Sequence, residues 1–349
     1  SDDSTVAAST INSTLTAGTN VVLQANNDIT LEVAINVTSG GAALTLQAGR
    51  SIDINADITT NNSALTLTAN DTGAVTAQRD PGAAVIDLTG STINTGSATF
   101  TATISTKSTS GDITLNTVTA GALVIANNGA TAGSRILDSG VLTVSGTSSF
   151  TTVANSGVIT LDLAHALTGA VTLNTKSSNT SAHATLDNGT TALNIATSSV
   201  GGTLTLTSGN ASGITDSGNV TVGVNFVATT DADDGVITMD TLKVDGTIAL
   251  NPHGTGAVTI VNDVGLKLAA STMGGTFSGT ATAGDISDSG NLVITGAATF
   301  ITTAANRDII LDQSGNVFTS TVTMQAGNGS ADFNNITFVD SAAVRLHTS

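Results

Sequence analysis

Apolar and polar residues alternate along this chain in short runs. Leu44-Thr45-Leu46, Ile52-Asp53-Ile54 and Leu65-Thr66-Leu67 are typical, and clusters of Gly, Asn, Ser and Asp separate one run from the next. Period-2 alternation places one side of each run inward and the other outward, so the pattern predicts short strands with tight corners between them. The runs recur at a short period: Ile29 to Ile52 and Ile35 to Ile58 are each 23 residues apart, and Leu44 to Leu65 is 21. A unit of that size holds two or three strands and cannot bury its own apolar side. Stacking successive units closes the backbone ladders and buries a narrow continuous core.

The predicted fold is therefore all-β, a right-handed parallel β-helix (β-solenoid) with about 20–23 residues per coil and about sixteen coils. It is expected to run as one continuous solenoid over 1–349, with the short repeats clearest in 28–70. The predicted core includes Ile29, Leu31, Leu44, Leu46, Ile52, Ile54, Leu65 and Leu67.

A longer period overlies the short one. Ile136-Leu137-Asp138-Ser139-Gly140 recurs as Ile214-Thr215-Asp216-Ser217-Gly218 and as Ile286-Ser287-Asp288-Ser289-Gly290. Each copy leads to a Phe (Phe150, Phe226, Phe300, all assigned to the core) and then to an apolar strand ending in Asp162, Asp240 or Asp312. Long repeats of about 75 residues are expected around 118–199, 200–272 and 273–349. Asp138, Asp216 and Asp288 are expected to accept backbone N–H bonds in their turns. Phe277, Phe300, Phe318 and Phe338 follow at intervals of 23, 18 and 20, which predicts a stacked Phe column. A string of small β-sandwiches would also repeat at this length, but such domains usually carry a buried Trp or Tyr, and this chain has neither.

Composition sharpens the picture. Of the acidic residues only Glu32 is not Asp, and Asp favours turns where Glu favours helices. With two Pro and 37 Gly, the chain reads as almost free of helix and rich in corners. The net charge of −17, with nine Lys plus Arg, argues against nucleic acid and anionic membrane surfaces as partners. No apolar run is long enough to span a bilayer. The absence of Cys excludes a disulfide framework and thiolate metal sites. The chain begins Ser1-Asp2-Asp3, which reads as an interior or mature portion of something larger.

Candidate chemistry is sparse. A polysaccharide-cleaving β-helix enzyme needs converging carboxylates and basic residues. Here the basic residues are scattered, and no catalytic residue is assigned. The four His residues form no closely spaced ligand pair, and His165, near Asp162, reads as a surface residue. Asp231, Asp233 and Asp234 place three carboxylates in one loop, an oxygen-only set that suits Ca²⁺; no other cofactor is expected.

The stretches Ala25-Asn26-Asn27-Asp28-Ile29-Thr30-Leu31, Leu44-Thr45-Leu46-Gln47-Ala48-Gly49-Arg50-Ser51-Ile52 and Leu65-Thr66-Leu67-Thr68-Ala69 resemble filamentous haemagglutinin-type exoproteins, the two-partner-secreted adhesins of Gram-negative bacteria. The resemblance implies a parallel β-helix at the cell surface or outside the cell, with adhesion or matrix building as its role. Its partners would be other copies, the remainder of a larger surface protein, or glycans and proteins of a host or neighbouring cell. The expected function is a non-enzymatic structural or adhesive rod segment. The rivals are a carbohydrate-active β-helix enzyme and a self-assembling fibre or sheath subunit.

Overall fold

The computed structural model describes residues 4–327 and 334–344. Two compact units divide the chain, residues 1–186 and 187–349. Each is a β-solenoid whose paired strands all run parallel.

In the first unit one sheet stacks Val21–Ala25, Leu44–Ala48, Leu65–Ala69, Thr99–Ile104, Ala122–Asn127, Ser148–Thr152 and Val171–Asn174 in chain order. A second stacks Ile29–Leu31, Ile52–Ile54, Ala84–Asp87, Ser110–Leu115, Ile136–Asp138, Ile159–Leu161 and Ala184–Asp187. A third runs from Ile35–Asn36 to Ala166–Leu167. Each of the first six coils thus contributes one strand to each sheet, and a seventh adds Val171–Asn174 and Ala184–Asp187 to the first two. In the second unit seven first-sheet strands follow one another from Leu193–Ile195 to Val322–Gln325, with Ser198–Val200 and Val220–Val222 paired beside that path. Its second sheet runs from Leu204–Ser208 to Ile336–Phe338, and Ser271–Met273, Leu292–Ile294 and Val317–Phe318 form a smaller third face. The counts fall below sixteen because residues go into a helix and long corners, such as the 71–82 excursion.

Alternation does what the pattern predicts. Leu44–Ala48 and Leu65–Ala69 bury every second residue. In register, Leu44 lies over Leu65 and Leu46 over Leu67, so like side chains stack inward. Leu44, Leu46, Ile52, Ile54, Leu65, Leu67, Phe150, Phe226 and Phe300 are all buried. Ile29 and Leu31 are only half-buried, because they belong to the first coil and have a stacked neighbour on one side only. Along the middle of the first sheet the outward positions are small and uncharged. One column in the first unit reads Val22, Thr45, Thr66, Thr101, Val124, Ser149, Thr172. Its counterpart in the second reads Asn194, Thr215, Thr238, Thr259, Ser278, Thr299, Thr323.

Core Phe residues follow a local rule. Phe100, Phe150, Phe226, Phe277 and Phe300 each have a small residue two positions away on the same strand: Ala102, Ser148, Ala228, Gly279 and Ala298. Both residues of such a pair point inward, so a large ring beside a small side chain keeps the core cross-section nearly constant. At Gly279 the fit is closest: a Cβ would stand 2.6 Å from Phe277 Cζ and 2.9 Å from a Leu266 methyl. The anticipated Phe column takes a different form. Phe277, Phe300, Phe318 and Phe338 are linked in sequence by ring centroid distances of 5.1, 6.2 and 5.0 Å. They come from three different sheets, so the rings meet across the core instead of lining one wall.

The chain is almost free of helix, as expected, and Ala8–Thr16 is the one α-helix among the described residues. Its Ile11 and Leu15 are buried and lie one turn apart, so they share one helix face. The helix contacts the first coil at Val21–Ala25 and Ile35–Asn36, covering part of an apolar end that no further coil covers in this chain. Among the described residues, no helix is long and apolar enough to cross a membrane.

Candidate functional site

The buried polar groups concentrate at the corners. At the end of strands in the two large sheets, the last inward position is often Asn or Thr in place of an aliphatic residue. Asn127 and Asn262 are fully buried there. The Asn127 amide donates to the carbonyls of Gly111 (2.8 Å) and Arg135 (3.1 Å). The Asn262 amide donates to those of Val244 and Gly265, and its Oδ1 accepts the Val244 N–H at 2.8 Å. Thr152 and Thr230 do the same work with a hydroxyl, donating to the carbonyls of Gly157 and Gly235. A corner turns the backbone out of the ladder and leaves carbonyls unpaired, and an inward amide or hydroxyl satisfies them without water.

The Asp-Ser-Gly motif builds a second kind of corner, which ties three successive coils together. Its Ser bonds backward: the Ser139 N–H and Oγ both donate to Leu115 O, and those of Ser289 to Leu268 O. Its Asp bonds forward. Asp288 accepts the N–H groups of Asp312 (3.1 Å) and Gln313 (3.4 Å), and Asp216 those of Asp240 (3.1 Å) and Thr241 (2.9 Å). Asp138 accepts the N–H of Leu163 at 3.1 Å. The carboxylates thus reach the coil that follows, 24 or 25 residues on, and not their own turn as anticipated. The recurring Asp240 and Asp312 are backbone donors to the recurring Asp216 and Asp288. The Gly permits the stacking: a Cβ on Gly140 or Gly290 would lie 2.5 or 2.6 Å from the backbone nitrogen of Thr117 or Ala270 in the coil before.

Two of these corners are completed by a buried bridging residue. Asn316, fully buried, donates from Nδ2 to Asp288 Oδ2 (2.6 Å) and accepts the Leu292 N–H on Oδ1 (2.8 Å). His165 occupies the matching place. It is 1% exposed, its Nδ1 accepts the Leu142 N–H at 3.1 Å, and its Nε2 lies 3.0 Å from Asp138 Oδ2, off the ideal N–H line. The expectation of a surface His165 beside Asp162 is therefore overturned. Its partner is Asp138 in the preceding coil, and Asp162 is exposed. Burial pushes the Asp138 carboxyl upward, but the His165 contact and the Leu163 N–H outweigh it and hold the group below the usual carboxylate range. Among the described residues the Asp216 corner has no such bridge; the exposed Thr241 hydroxyl donates to Asp216 at 2.7 Å. Within the second unit, Asp216 sits on a first-sheet strand and Asp288 on a second-sheet strand. The corner is thus portable between sheets.

The proposed Ca²⁺ ligands Asp231, Asp233 and Asp234 share a corner but do not converge. Asp234 takes a left-handed backbone (φ 60°) and turns its carboxylate to the N–H of Thr255 (2.7 Å) and its hydroxyl, bonds that hold its pKa below the usual range. Asp233 pairs with His253 Nδ1 at 2.8 Å on the surface, and Asp231 is exposed. Among the described residues no three His, Cys, Asp or Glu side chains are grouped to hold a metal ion. The neighbouring coil has taken up Asp234, leaving the loop without a cage. His347 lies outside the described residues.

The excursion after Leu65–Ala69 folds back over earlier coils. Val75 N–H and Gln78 bond to Asn26, Arg79 Nε donates to Gly49 O at 2.8 Å, and Arg50 binds both Pro81 O and the Asp28 carboxylate. The Arg50 guanidinium beside Asp28 holds that carboxyl below its ordinary range.

Residues 101–174 and 255–325 match the profile of a family described as repeats of unknown function (DUF5649). No curated protein and no solved structure matches the chain. Each matched stretch contains one bridged corner, Asp138 with His165 or Asp288 with Asn316, while the unbridged Asp216 corner falls outside both.

Proposed function

We propose that this chain is a structural and adhesive segment of a larger secreted surface protein and carries no catalytic centre of its own. The observation that supports this reading is where the chain places its polar chemistry. Buried Asn, Thr, His and Asp side chains bond to the backbone of neighbouring coils, and the outward columns along the middle of the first sheet are uncharged, chiefly Thr and Ser. Such an arrangement makes a stiff stack with a broad neutral flank. The resemblance to filamentous haemagglutinin-type exoproteins supports a position at the Gram-negative cell surface, where the chain would hold a binding region away from the cell or contribute to a matrix. Glycans or proteins of another cell, or further copies, are the partners this role requires. The test uses antibodies against the purified chain on intact producing cells, together with competition of cell adhesion by that chain. Surface labelling without lysis and reduced adhesion are expected. Labelling that requires lysis, or cleavage of a polysaccharide by the purified chain, would overturn the proposal.

A further inference from the structure

We infer that the corner formed by Asp138, Leu142 and His165 is an acid-sensitive clasp: a second proton on His165 releases the Leu142 N–H, and the corner at Asp288, Leu292 and Asn316 is its pH-blind counterpart.

The argument starts from the proton inventory of the ring. A neutral imidazole has one donor and one acceptor. The Leu142 N–H at 3.1 Å makes Nδ1 the acceptor, so Nε2 carries the hydrogen and faces Asp138 Oδ2 at 3.0 Å. Asn316 makes the same pair of contacts with an amide, Oδ1 toward Leu292 N–H and Nδ2 toward Asp288. An amide carries no charge and cannot take a proton in this pH range. The second corner therefore shows that the architecture requires one acceptor and one donor at this place, and no cation.

The two corners part company on acidification. The second proton can enter the ring only at Nδ1, where the Leu142 N–H already points. Two N–H donors then meet head to head. Asp138 still attracts the ring, so the imidazolium keeps Asp138 and gives up Leu142. Charged neighbours do not complicate this. Asp138 is the ionisable side chain that Ile136–Asp138 turns toward the ring. Leu142–Val144 and Ala166–Leu167 carry none, and Asp162, earlier in the same coil as His165, is exposed. Leu142 is fully buried at the start of a third-sheet strand, so its release opens the ladder at that edge.

The test is residue-resolved amide exchange on the whole chain across the pH range in which imidazole titrates, with rates corrected for their intrinsic pH dependence. Leu142 should lose protection by about tenfold or more on acidification while Leu292 does not. His165→Asn, which installs the side chain of the second corner, should flatten the Leu142 profile. The imidazole ¹⁵N spectrum of the unmodified protein gives a readout that does not depend on any variant folding: the Nε2–H tautomer is expected at neutral pH. A doubly protonated ring at neutral pH with Leu142 still protected would overturn the inference. So would Leu142 protection that ignores pH, or an unchanged profile in His165→Asn.

Discussion

Removing the Asp288 carboxylate measures what a forward-reaching corner contributes. Asp288→Ala leaves three donors without their acceptor: the N–H groups of Asp312 and Gln313 and the Asn316 amide. The two backbone donors lie near the surface and regain water in part, so each should cost about 0.5–1 kcal/mol. The Asn316 amide is fully buried and has no such recourse, which adds about 1–3 kcal/mol. The sum is about 2–5 kcal/mol, most of it from the bridge. Two controls separate this from a general surface effect. At Asp216→Ala all the lost donors are exposed, so the loss should stay near 1–2 kcal/mol, about 0.5 kcal/mol for each donor. Asp312 is exposed and serves the corner through its backbone N–H, so Asp312→Ala should fall within about 0.5 kcal/mol of the parent. Urea unfolding monitored by far-UV circular dichroism gives the three values. The expected order is Asp288, then Asp216, then Asp312. Equal losses at all three, or a silent Asp288→Ala, would refute the claim that these carboxylates hold one coil to the next.

Other outcomes follow from the same geometry. Gly279→Ala should destabilise by about 1–3 kcal/mol in urea unfolding, because the added methyl meets the Phe277 ring and the Leu266 side chain at under 3 Å. Leu67→Asp should cost more than about 4 kcal/mol, since a charge would lie unpaired in the core between Leu46 and Ala102 of the adjoining coils; melting at the parent temperature would show that Leu67 does not face the core. Asp28 and Asp138 both have carboxyl pKa values lowered by folding, so the stability they supply is complete above the unfolded carboxylate range. That stability should disappear as pH falls below about 4, and thermal melting at stepped pH should show it. Asp138→Asn should make that acid loss shallower.

What was legible in the sequence was the part governed by period. The inward residues of Leu44–Ala48, Ile52–Ile54 and Leu65–Ala69 could be read directly, because a strand has only two sides. Pairings between coils could not be read as directly. The Asp carboxylates find donors 24 or 25 residues ahead, and the bridging residue comes 27 or 28 ahead, distances set by corner lengths that vary along the chain. His165 illustrates the difficulty: its nearest acidic neighbour in sequence is Asp162, but its partner in space is Asp138. A signal was nevertheless present. Asn127, Thr152, Thr230 and Asn262 each occupy the inward phase of an otherwise apolar strand, and a polar residue there needs a buried partner. The helix Ala8–Thr16 was missed because Ile11 and Leu15 offer a single apolar pair in a segment of Ser, Thr and Asn.

Parallel stacking in a defined register is the claim on which the account rests, and engineered cysteine pairs test it most directly because the chain contains no Cys of its own. Thr45 and Thr66 are ladder partners that both face outward, at a separation of about 4.8 Å, within the range a disulfide spans. Thr45→Cys with Thr66→Cys should cross-link rapidly under mild oxidation, and Thr45→Cys with Leu67→Cys should not, because Leu67 points into the core. Rapid cross-linking of the second pair and none of the first would mean that the strands are out of this register and the stack is not built as described.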